Sequence, residues 1–95
     1  MQIESIRHKA LRRFAETGLR QGLPAGSVDR LHNMLAYIDA IAAAEELRVP
    51  PNFGAHKLTG DRKGEWALFV TKNWRMTFRV NTAGGIEDMD LEDYH

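Results

Sequence analysis

An α+β fold, in which an N-terminal helical hairpin packs on a small, mostly antiparallel β-sheet, is what this sequence predicts. Two observations predict it. Apolar residues recur at three- and four-residue steps through the first half, and after Pro50 and Pro51 the pattern gives way to aromatic and β-branched runs separated by turn residues. Ninety-five residues with 43% hydrophobic content suit a single domain over 1–95, because a chain this short has too little interior to divide between two cores.

The elements follow in order. "QIESI" at 2–6 alternates apolar and polar side chains and predicts a short first strand. From about Arg7 to Thr17, Ala10, Leu11, Phe14 and Ala15 fall on one helical stripe, and Gly18 supplies the left-handed stop. "QGLPAG" is a turn. Ser27 is expected to cap the second helix by accepting a bond from an orphaned backbone N–H, with Asp29 suiting the positive end. Val28, Leu31, Leu35, Ile38 and Ala42 carry this helix from about residue 28 into the alanine-rich "AIAAAEEL", and the proline pair forbids its continuation. "EWALFVT" and "WRMTFRV" read as strands joined by "KN". After the turn "NTAGG", "IEDMDL" is a third strand of imperfect alternation.

Composition removes several classes of function. Without cysteine there is no disulfide framework and no thiolate zinc site. The start lacks a signal-peptide core, and no apolar run approaches the roughly 20 residues of a membrane span. A cytoplasmic, unprocessed protein is expected. Walker, GxGxxG, GxSxG and HExxH motifs are missing. Net charge is zero, yet basic residues crowd the first quarter and the centre while Glu87, Asp88, Asp90, Glu92 and Asp93 make the tail acidic.

What remains is a set of polar side chains around the expected sheet. His56 and Lys57 precede the "TGDRKG" loop, Asn73 and Arg75 bracket Trp74, and Asp93, Tyr94 and His95 close the chain. Brought together, they suit metal-free cleavage of RNA, which needs a base for the 2′-hydroxyl, an acid for the departing 5′-oxygen and fixed positive charge on the phosphorane. Plainer roles stand beside these. Trp66 and Trp74 suit core anchors, Arg75 suits an ion pair with the acidic tail as well as a phosphate contact, His8 and His32 suit surface or packing positions, and His95 alone suits a solvated terminus.

The segments "IRHKALRRFAETG", "HKLTGDRKGEWALFVTKNWRMTFRV" and "EDYH" resemble the HigB (host inhibition of growth) toxins of the RelE/ParE superfamily, from type II toxin–antitoxin systems. The resemblance implies a RelE-like fold and ribosome-dependent cleavage of messenger RNA without metal or cofactor. It places His56, Arg75, Asp93, Tyr94 and His95 in the catalytic group, and Lys57, Lys72 and Asn73 on the RNA. In those roles His95 transfers a proton, His56 complements it, Arg75 binds phosphate, Asp93 orients a neighbour and Tyr94 positions the nucleotide. The implied partners are a HigA-like helix-turn-helix antitoxin and the 70S ribosome decoding site with its message; there is no membrane partner, and DNA is reached only through the antitoxin. Two positions depart from the family pattern: "HKLTG" places Lys57 where proline is common and Thr59 where lysine is common, and Thr71 stands at a usually basic site with Lys72 beside it. The shared scaffold leaves open a ParE-like toxin that binds DNA gyrase, and a weakened relative acting mainly as an antitoxin-binding module.

Overall fold

The computed structural model describes residues 1–94. Helix α1 spans Lys9–Thr17 and α2 spans Val28–Ala40; strands are β1 His56–Lys57, β2 Glu65–Thr71, β3 Trp74–Val80 and β4 Ile86–Asp93, with short 3₁₀ turns at Ala44–Arg48, Pro51–Phe53 and Gly60–Arg62. The strands lie in the order β1-β2-β3-β4, each antiparallel to its neighbour. Leu11 of α1 and Leu31, Met34 and Ile38 of α2 join Trp66, Leu68, Met76, Phe78 and Leu91 in one buried cluster, so both helices cover the same sheet face. Trp66 is part of that core and Trp74 packs against it half-buried, as expected of anchors.

Local chemistry shifts several expected boundaries. α1 begins after His8 because the His8 Nδ1 accepts the Leu11 N–H at 3.2 Å, a cap rather than a position inside the helix. Gly18, at φ 80°, ends it as expected. Ser27 does not cap α2 through its side chain: it is fully buried with helical backbone angles, and its hydroxyl donates to the Pro24 carbonyl at 2.6 Å. A side-chain cap needs the extended geometry that Ser27 lacks.

α2 also stops earlier than the alanine run suggested. Ile41 is extended, and the Glu46 carboxylate accepts the N–H groups of Ala42 and Ala43, each at 2.9 Å. Those bonds hold the Glu46 carboxyl below its usual range and start a separate 3₁₀ turn. At the other side of the break the Met1 ammonium donates to the carbonyls of Ile38 at 3.0 Å, Asp39 at 3.1 Å and Ile41. A cation there satisfies orphaned carbonyls at the negative end of α2.

Residues 2–6 run beside β4 through parallel bridges Ile3↔Ile86 and Ile6↔Met89, so the expected first strand takes the form of two isolated pairings that cover the sheet edge. The imperfect alternation of β4 has a physical cause. Its register against β3 slips by one residue between Thr77 and Arg79, and Asp88 takes φ 56° at that point. The bulge lets Ile86 and then Met89 and Leu91 all turn into the core despite their mixed parity. The edge strand β1 was not expected, since two residues offer no period to read.

Candidate active site

The sheet face away from the helices bears most of the polar candidates. Opposed residues in a ladder share a face, so the register His56↔Ala67↔Thr77↔Asp90 forms one row and Phe69↔Arg75↔Glu92 the next. Lys57 pairs with Trp66 and its ammonium lies 5.5 Å from the Trp66 ring centroid, which turns it toward the helix-covered side. The structure therefore does not bring Lys57 to the face that bears Arg75 and His56.

Glu92 is the electrostatic hub. Its Oε1 accepts from Arg75 Nε at 3.2 Å, Arg75 Nη2 at 3.1 Å and Arg62 Nη1 at 2.8 Å; its Oε2 accepts from Thr77 Oγ1 at 2.8 Å and from Arg62 Nη2. Arg62 most of all, then Thr77 and Arg75, hold the Glu92 carboxyl down to about 2 against the opposing effect of burial. Arg62 also donates to Glu65 at 2.9 and 3.0 Å, with Arg79 at 3.6 Å from the same carboxylate. Glu65 is accordingly held below the usual carboxylate range, chiefly by Arg62, and the Arg62 guanidinium is pushed above its ordinary value.

Arg75 is thus fixed from two sides. Glu92 holds one edge of its guanidinium, and its central carbon sits 5.2 Å from the centroid of the Tyr94 ring. Tyr94 follows directly on β4, its N–H donating to the Asn73 carbonyl at 3.1 Å, so backbone pairing holds the tail to the β2–β3 turn through residue 94. Asp93 is exposed and pairs in register with Trp74, and Lys72 is exposed in the turn itself. His56 is exposed on the same face as Arg75, and its Nδ1 donates to the Gly54 carbonyl at 3.0 Å. In the neutral ring that bond leaves Nε2 as the acceptor. β1 and β3 are two strand spacings apart, about 10 Å. His95 lies outside the described residues.

Arg75, Asn73 and Tyr94 are therefore brought together, with His56 across the same face. Sequence reasoning missed Arg62, Glu65, Thr77 and Glu92 as a network. The signal was slight: Arg62 and Glu65 stand three residues apart in "TGDRKGE", while Glu92 lies thirty residues further on. Thr59 is exposed just before the Gly60–Arg62 turn and Thr71 is half-buried at the end of β2. Among the described residues, no group of three or more His, Asp or Glu side chains is placed to hold a metal, and no helix is long and apolar enough to cross a membrane.

Two helices on one face of a four-stranded antiparallel sheet are the architecture of the RelE/YoeB/YafQ toxins. A YoeB/ParE toxin from Agrobacterium tumefaciens superposes with a TM-score of 0.59 over 100% of both chains at 15% identity. YafQ from E. coli strain BL21(DE3) does so with a TM-score of 0.55, over 97% of this chain and 93% of that one, at 13% identity. Residues 4–95 match the model for the HigB-like RelE-like toxins of type II toxin–antitoxin systems, and the chain belongs to that family. It is 39% identical over 93 residues to Endoribonuclease HigB of Proteus vulgaris, covering 98% of this chain and 99% of the relative. Toxin HigB-1 of Vibrio cholerae serotype O1 is 32% identical over 75 residues, 78% and 79% of the two chains. Membership of a toxin–antitoxin family brings an antitoxin as partner.

Proposed function

We propose that this protein is an endoribonuclease toxin that cuts translated messenger RNA on the ribosome and so arrests growth. One observation carries the reading: the Arg75 guanidinium is held between Glu92 at 3.1 Å and the Tyr94 ring at 5.2 Å, on the open sheet face that also bears His56. The relative named Endoribonuclease HigB, similar along nearly the full chain, supports it.

The chemistry is an in-line displacement. A base removes the 2′-hydroxyl proton, the O2′ attacks phosphorus, the P–O5′ bond breaks, and an acid protonates the departing 5′-oxygen, leaving a 2′,3′-cyclic phosphate and a 5′-hydroxyl. His56 and His95 supply the proton transfers, Arg75 stabilises the phosphorane charge, Asp93 orients a neighbour and Tyr94 packs on the nucleotide. Asn73 and Lys72 meet the RNA backbone from the β2–β3 turn, while Lys57, directed at Trp66, adds only to the positive field at the sheet edge. Sharing Arg75 with a phosphate is inexpensive, because Glu92 keeps Arg62 and Thr77 when Arg75 swings away and is never left unpaired. The antitoxin is a HigA-like helix-turn-helix protein through which the pair reaches DNA, and the toxin acts in the cytoplasm.

Primer extension on a defined message tests the reading. Cleavage is expected with 70S ribosomes and not without them, and is expected to be lost in His95→Ala. Intact message with the wild-type toxin and ribosomes, or undiminished cleavage by His95→Ala, would count decisively against it.

A further inference from the structure

Phe69 is an aromatic ring in the middle of the polar face. It is 42% exposed although it sits on a central strand, and it is the direct ladder partner of Arg75. On its other side lies Gly54, where an added Cβ would come within 3.6 Å of the Phe69 Cβ, so the neighbouring backbone approaches without a side chain to cover the ring. The Gly54 carbonyl is the group that receives the His56 Nδ1–H. Phe69 thus stands between the imidazole of His56 and the guanidinium of Arg75.

The ring is also backed by a fixed cation. Arg30 of α2 places its guanidinium 5.3 Å from the Phe69 centroid and is anchored by the Phe69 carbonyl, at 3.1 and 3.3 Å, and by the Asn52 carbonyl. A cation at this distance is attracted to the ring by its quadrupole. A half-exposed aromatic face beside a phosphate-binding arginine is how proteins hold single-stranded nucleic acid, the base stacking while the charge meets the backbone.

We propose that Phe69, backed by Arg30, is a base-stacking subsite that receives the nucleobase of a single-stranded RNA nucleotide adjoining the scissile phosphate. The subsite rests on the nuclease reading above. It contributes binding and alignment, touching no reacting atom, and it tolerates any base because each offers a π-face.

Steady-state cleavage of a defined message on 70S ribosomes tests it, using wild type, Phe69→Leu and Phe69→Tyr. Phe69→Leu is expected to raise KM about 5- to 100-fold, the worth of one stacked base, with kcat changed less than about threefold; Phe69→Tyr keeps the ring and stays near wild type. Should Phe69→Leu melt early, Phe69→Met provides the same contrast of bulk without a ring. Unchanged KM in the ringless variant, or equal impairment of Phe69→Tyr, overturns the subsite and leaves the nuclease reading intact. A wild type that cuts no message on ribosomes overturns both.

Discussion

Arg75 shows how one side chain can serve stability and chemistry together. From sequence, an ion pair to the acidic tail and a phosphate contact were equally open, because the choice depends on which tail carboxylate faces residue 75. The ladder decides the first half: Glu92, not Asp93, lies opposite Arg75, and the two bond at 3.1 and 3.2 Å. Removing Arg75 leaves Glu92 with two bonds from Arg62 and one from Thr77, so Arg75→Ala is expected to cost only about 1 kcal/mol, a shift in Tm of roughly 4–8 °C for a domain this size. Cleavage is expected to fall about 10²- to 10³-fold, the usual effect of deleting one transition-state donor. A melting curve beside a single-turnover assay separates the two; a variant that melts as described yet cuts at the wild-type rate would remove Arg75 from the chemistry.

At the scale of elements, the helices were legible from their apolar period and the three long strands from runs of apolar, aromatic and β-branched residues bounded by turns. What escaped had no period to show. β1 is two residues long, the end of α2 is decided by the carboxylate of Glu46 eight residues past Ile38, its last long apolar side chain, and the N-terminal pairing consists of two isolated bridges. The irregular pattern in β4 was visible, but its cause, a bulge at Asp88, was not. That bulge makes a sharp test. Asp88 holds φ 56°, its N–H is received by Ser5 Oγ at 2.8 Å, and its own carboxylate makes only a long, exposed contact of 3.9 Å with Arg7. A β-branched residue is strongly disfavoured in the left-handed region, so Asp88→Val is expected to destabilise by about 1–2 kcal/mol. In Asp88→Gly the relieved backbone and the freer unfolded chain offset one another, and stability should stay within about 0.5 kcal/mol of wild type. Urea midpoints at constant m-value read both. Equal losses in Val and Gly would mean that the aspartate side chain, not the backbone angle, matters at this site.

Across the whole molecule, the sheet divides labour between its faces: one is sealed by α1 and α2, while the other holds its order through charge. The core was readable from apolar spacing, but the candidate site was not, because its parts meet only through cross-strand register. Arg62 and Glu92, thirty residues apart, share one carboxylate–guanidinium contact that no local pattern announces. This division makes a prediction about acid. Glu92 falls from an ordinary value of 4.5 to about 2 in the folded protein, and Glu65 and Glu46 are also lowered. A carboxylate with a depressed folded pKa stabilises fully above its unfolded value and loses that contribution as pH falls through the folded one. Stability is therefore expected to be nearly level from pH 7 to 5 as far as these groups govern it, and to decline between about 4.5 and 2. Glu92, partly open to solvent, should account for on the order of 1–2 kcal/mol of the decline after screening. Glu92→Gln removes the titrating group: it should begin less stable at pH 7 and descend more gently, so that the two urea-midpoint curves converge toward pH 2. Parallel curves would show that the polar face titrates through other carboxylates and that Glu92 is not its hub.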